Sequence, residues 1–165
     1  MKVLGRRIRQ CAVLLCVLLQ GVTADARGLK APWVPLPEDA KLVTDPAALT
    51  ALFADHTVHG INFEDGSKWR EYTAPDGRTI WEFKGCLYPG TWRVSGSAVC
   101  YAYPGWDNGR PQCFVVYQST QLTHFVWLDP MTGDQVLFGK ALDISQGNPD
   151  HLPLDGAPGC DAPAA

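Results

Sequence analysis

No second long apolar run follows the first 26 residues. A bilayer-spanning helix needs about 20 apolar residues, so beyond that point no permanent membrane span is predicted. Positive charge is also scarce: the chain holds 14 Lys and Arg against 17 Asp and Glu. Setting aside residues 1–26, which carry four of the bases and one of the acids, leaves a net charge of −6 with His neutral. That balance opposes binding to nucleic acid or to anionic lipid. Among Cys86, Cys100, Cys113 and Cys160, the cysteines beyond residue 26, no pair shows C-x₂₋₄-C spacing, which argues against a structural zinc site. There is no G-x-S-x-G nucleophile turn, no phosphate loop and no dinucleotide fingerprint. Neither a cofactor nor a metal is expected.

What is present begins with a three-part export signal. Lys2, Arg6, Arg7 and Arg9 form a positive head, residues 11–19 an uncharged apolar run, and Ala24-Asp25-Ala26 a small-residue cleavage site. The apolar run is too short for a lasting anchor. Leu14-Leu15 before Cys16 suits lipid attachment poorly, and Arg9 stands where twin-arginine export wants an apolar residue. Residues 1–26 therefore read as a cleaved signal, and the remaining chain as a periplasmic or secreted protein.

Four cysteines follow the signal: Cys86, Cys100, Cys113 and Cys160. An even number in an exported chain reads as two disulfides, with three possible connectivities. The preferred pairing is Cys100–Cys113 with Cys86–Cys160. The first pair flanks a turn-rich loop, Pro104-Gly105-Trp106-Asp107-Asn108-Gly109-Arg110-Pro111, whose two strands would bring the sulfurs together. The second pair would pin the tail.

Residues 27–44, with Pro32, Pro35 and Pro37, read as an extended leader. Residues 45–54 read as a short helix: Asp45 suits the cap and Pro46 the first turn, and Leu49, Leu52 and Phe53 share a face that should pack on a sheet. Strands are expected at 57–63, 67–73, 78–84, 90–95, 98–103, 112–118, 123–129 and 135–141. Turn pairs such as Asp65-Gly66, Asp76-Gly77, Ser95-Gly96 and Asn108-Gly109 separate them. About eight strands at roughly ten-residue spacing leave no room for parallel crossovers. The expected fold is all-β: an antiparallel meander closing into a small lipocalin-like up-and-down barrel with one short N-terminal helix. A two-sheet β-sandwich is the alternative. The helix and barrel span 45–145, and 146–165 form a Gly/Pro/Asp-rich tail. Strands 112–118 and 123–129 are apolar on both faces. Their outer face must be covered by the helix, by the leader around Trp33, or by a partner.

Residues 56–152 resemble a family of small exported bacterial proteins with a domain of unknown function. The resemblance lies in Gly60, in Trp69-Arg70-Glu71-Tyr72-Thr73-Ala74-Pro75-Asp76-Gly77-Arg78, and in Gly90-Thr91-Trp92-Arg93-Val94. It continues through Cys100 and Cys113 to Gly147-Asn148-Pro149. It implies bacterial origin, export and a β fold, and carries no catalytic residues. Cys86 and Cys160 lie outside the pattern. Gly90-Thr91-Trp92 is also similar to the G-x-W that opens lipocalins, although here it lies mid-chain.

The chemistry-bearing residues are few. His56 and His59 point to opposite faces of a strand and read as surface residues, and His124 reads as a satisfied or boundary histidine. Glu64, Glu71 and Glu82 would have to converge to serve glycoside hydrolysis. Trp69, Trp81 and Trp92 recur about every eleven residues at matching strand positions and read as layers of the barrel core. Trp106, in a loop held by a disulfide, suits a contact residue, with Trp33 and Tyr103 as further candidates. The function expected is a non-enzymatic binding module for a small apolar ligand or an envelope protein. The alternatives are a barrel-type protease inhibitor using residues 27–37, and a hydrolase.

Overall fold

A computed structural model describes residues 36–129, 132, 134–156, 159 and 160. The segment expected to be a signal, most of the expected leader, and Trp33 lie outside the described residues.

The chain forms β1 (Lys41–Leu42), α1 (Pro46–Phe53), β2 (His56–Asn62), β3 (Lys68–Thr73), β4 (Arg78–Phe83), β5 (Cys86–Ser95), β6 (Ala98–Ala102), β7 (Gln112–Gln118), β8 (Thr123–Leu128) and β9 (Gln135–Gln146). Strands β2 to β9 pair antiparallel in chain order, and β9 returns to pair with β2. The fold is thus an eight-stranded up-and-down barrel, not a sandwich. Closure pairs every wall strand on both sides and removes free edges. The extra strand β1 adds to β7 where β6 has ended, with Lys41 opposite Gln118 and Leu42 opposite Tyr117.

Two strands run longer than the sequence pattern predicts. Strand β5 begins at Cys86 rather than residue 90, despite Pro89. Before Thr91 its only strand partner is β4, with Gly159 bridging at Leu87 alone, so Pro89, which lacks an N–H, is tolerated on the open side. Strand β9 continues to Gln146 because the start of β2 pairs with it past a bulge at His59/Gly60.

Helix α1 forms where expected. The Asp45 side chain accepts from the Ala47 N–H at 3.0 Å, and Pro46 opens the first turn. Its apolar face does not lie on the outside of the sheet. Leu49 and Phe53 are fully buried in the interior core with Val58, Trp69 and Phe125, so the helix plugs one end of the barrel. The outer apolar faces are covered by chain on either side of the barrel. Leu36 and Leu42 pack on Val115, Val126 and Leu137, while Leu152 and Leu154 pack on Tyr72, Ala74 and Ile80.

Both disulfides are present, Cys100–Cys113 directly across β6 and β7, and Cys86–Cys160 from β5 to the tail. Beside the latter, Leu87 and Gly159 form a two-bond bridge. Asp150 also ties the tail down, accepting from His59 Nε2 at 2.6 Å and lying 3.5 Å from Arg70. Among the described residues no helix is long and apolar enough to cross a membrane.

Candidate functional site

With α1 at one end, the interior opens at the other. There it holds a cavity of about 370 Å³. Its mouth is made of residues at or beyond strand ends: Asn62, Glu64, Asp65, Phe83, Lys84, Trp106 and Gln112. Its depth is made of mid-strand residues, chiefly Trp69 and Glu71 of β3, Trp81 of β4, Tyr101 of β6, Phe114 of β7 and Phe125 of β8. These positions follow from period-two alternation, which points Trp69, Glu71 and Thr73 inward and sends Arg70 and Tyr72 outward.

Two glycines admit the large rings. A Cβ on Gly60 would lie 2.1–2.6 Å from three atoms of the Trp69 indole. One on Gly90 would lie 2.4 Å from the Ala102 carbonyl oxygen and 2.6 Å from the Tyr103 ring. A side chain at either position would displace a cavity wall. Both glycines thereby shape the interior.

The rings form a continuous set. Trp81 stacks on Phe83 at 5.0 Å between centroids, and lies 5.1 Å from Tyr88 and 5.4 Å from Tyr103. Trp106 meets Trp81 and Tyr88 edge-on, at 5.3 and 5.6 Å, and so closes one side of the mouth. It is carried on a turn in which Asp107, Asn108 and Gly109 all have positive φ. Asp and Asn are among the few residues that accept that conformation at small cost.

Within this aromatic lining sits one acid. Glu71 is 7 % exposed and accepts hydrogen bonds from the Tyr103 hydroxyl and, at 2.9 Å, from the Thr79 hydroxyl. Burial pushes its carboxyl up to about 7, against the opposing pull of those two bonds. Burial, then the Glu71 charge, holds the Tyr101 and Tyr103 phenols well above their ordinary range. At the mouth, Lys84 donates to Asp65 at 2.8 Å, and this contact, with bonds from Ser67, keeps Asp65 well below the usual carboxylate range. Two polar atoms in the lining are buried without a partner: the acceptor Asn62 Oδ1 and the donor Trp69 Nε1. Unsatisfied groups of this kind are costly.

Tyr103 and Trp106 both line the cavity. The three regularly spaced tryptophans divide. Trp92 is core, with its Nε1 donating to the Ala74 carbonyl at 2.7 Å, whereas Trp69 and Trp81 are cavity wall. Glu64 and Glu71 share the cavity, but Glu82 is turned outward and bonded to Arg70, so the three glutamates do not converge. His56 Nδ1 donates to the Ala54 carbonyl at 2.8 Å. His124 departs from expectation: it is buried, stacked at 6.3 Å on Phe63, and its Nδ1 has no partner. Burial, then Lys140, lowers its pKa, which favours the neutral ring. No group of three metal-binding side chains occurs among the described residues. In the sequence Glu71 reads only as part of a carboxylate pair. Its shared parity with Trp69 was the signal that it faces the interior.

Compared with models of protein families, with curated proteins and with solved structures, the chain matches none.

Proposed function

We propose that this protein is a non-enzymatic binding module that holds a small molecule with an aromatic or apolar body in the open end of its barrel. The observation that carries this reading is the cavity of about 370 Å³, walled by aromatic rings and fitted with a few convergent polar groups. Sites of this size and lining commonly bury drug-sized ligands, and aromatic walls provide large contact area at low entropic cost. Export belongs to the same proposal, with cleavage after Ala26 and a periplasmic or secreted location. The two disulfides support an oxidising compartment. The resemblance to exported bacterial proteins of unknown function supports it as well.

A hydrolase reading draws on Glu71, whose carboxyl near 7 suits proton transfer. Its partner carboxylates lie at the mouth, and Asp65 there is already tied to Lys84 and Ser67. Binding therefore stands first. The test is the native mass of protein prepared in an oxidising compartment, followed by its denatured mass, with a titration by the uncharged fluorophore N-phenyl-1-naphthylamine. A small mass lost on denaturation, or saturable one-to-one dye binding that quenches tryptophan emission, is the expected result. A bare native mass together with no dye binding removes the reading.

A further inference from the structure

We infer that the molecule held in this cavity is a small organic cation, an amine or quaternary ammonium group joined to an aromatic or apolar body, with its charge set against Glu71. This rests on the binding reading above and adds the charge of the ligand. The Glu71 carboxyl is buried, yet its partners are neutral hydroxyls rather than a cation. Both bonds end on Oε1, so Oε2 is left for a ligand.

The groups facing Glu71 come from every wall near it. They are Thr79 and Trp81 of β4, Tyr101 of β6, and Tyr103 just beyond β6. None carries positive charge. The basic side chain among the described lining residues is Lys84, at the mouth and bonded to Asp65. With Glu64 beside that pair, the mouth is net negative and meets an entering anion with like charge.

The walls themselves favour a cation. The faces of Trp and Tyr rings attract positive charge, most strongly where water is excluded. Lys84 Nζ already stands 4.9 Å from the centroid of the Phe83 ring, so one wall ring accepts a cation within the chain itself.

Occupancy then couples to a proton. In the empty cavity the carboxyl titrates near 7, and a cation binds the ionised form. Binding tightens as pH rises through that value and levels off above it. The ionised fraction rises about tenfold between pH 6 and 8.5, and the affinity of a permanently charged ligand follows it.

The experiment is displacement of N-phenyl-1-naphthylamine by three matched probes: benzyltrimethylammonium, its uncharged carbon isostere neopentylbenzene, and phenylacetate. At pH 8.5 the cation is expected to compete at least about tenfold better than the isostere, with phenylacetate weakest. Between pH 6 and 8.5 the cation should gain about tenfold while the isostere stays level. Glu71→Gln, shown folded by circular dichroism, should erase both the advantage and the pH dependence. Trp106→Ala, on an exposed loop, should weaken the cation but keep its pH dependence. Equal competition by cation and isostere, or a ratio indifferent to pH, overturns the inference. If the dye binds and that ratio is one, the charge assignment fails and the cavity reading stands. If neither dye nor probes bind, both fail.

Discussion

Replacing Glu71 with glutamine should stabilise the unliganded protein above neutral pH and do little below pH 5. The reasoning starts from burial. Glu71 is 7 % exposed, and its carboxyl is raised from an ordinary 4.5 to about 7, chiefly by desolvation. The folded state therefore binds this proton more tightly than the unfolded state. Between those two values the folded chain holds more protons than the unfolded chain, so stability falls as pH rises. The favourable contribution is complete below 4.5 and is lost as pH passes through about 7. A displacement of that size corresponds to about 3 kcal/mol, or roughly 10 °C in melting temperature for a chain of this length. Glutamine keeps the shape and the acceptor for Tyr103 and Thr79 but has no proton to lose. The assay is urea denaturation of wild type and Glu71→Gln at intervals from pH 4.5 to 8.5, with disulfides intact. Taking the difference between the two proteins cancels the other titrating groups. The difference should grow in favour of the variant by about 3 kcal/mol across that range. Parallel curves would refute the reasoning, because they would mean that Glu71 titrates alike in both states.

Other expectations follow from the walls and the staples. Gly60→Ala drives a Cβ into the Trp69 indole, so it should cost about 1–3 kcal/mol by thermal melt and reduce dye binding as the ring is pushed aside. The disulfides differ in the loops they close. Their sequence separations are 74 for Cys86–Cys160 and 13 for Cys100–Cys113. On chain entropy, replacing the first pair with serines should cost about 1.5 kcal/mol more than replacing the second, measured by urea denaturation. Trp106→Ala removes a side chain that is 38 % exposed, so stability should change by about 0.5–1 kcal/mol. Dye dissociation, followed by stopped-flow fluorescence, should accelerate several-fold.

Much of this architecture is legible in the sequence because the turns are explicit. Asp76-Gly77 and Asn108-Gly109 fall between the strands they separate, and Ser95-Gly96 spans the end of β5. The Asp45-Pro46 start of the helix is equally plain, as local chemistry fixes it. What the sequence leaves hidden depends on contacts between distant segments. Pro89 masks the first half of β5, since its tolerance rests on the missing neighbour on one side. The two residues of β1 are too few to show alternation, and their partner β7 lies some 75 residues away. The site is harder still to read. Parity shows that Trp69 and Glu71 share a face, but Arg70 and Tyr72 form an equally plausible alternative face. The choice is settled by closure of the barrel, which brings Tyr103 onto Glu71 from across the interior. Trp69 and Trp92 look alike in sequence. They separate by whether the indole N–H finds a carbonyl, as Trp92 does and Trp69 does not.

That difference supplies the most direct measurement. In a nitrogen-15-labelled sample, the indole N–H signals can be followed while benzyltrimethylammonium is added at pH 8.5. Trp69, Trp81 and Trp106 line the cavity, and Trp92 lies in the core with its N–H already bonded. The account predicts saturable movement of the first three signals, a stationary Trp92 signal, and loss of the response in Glu71→Gln. Signals that stay fixed throughout, or that move equally for Trp92, would contradict it.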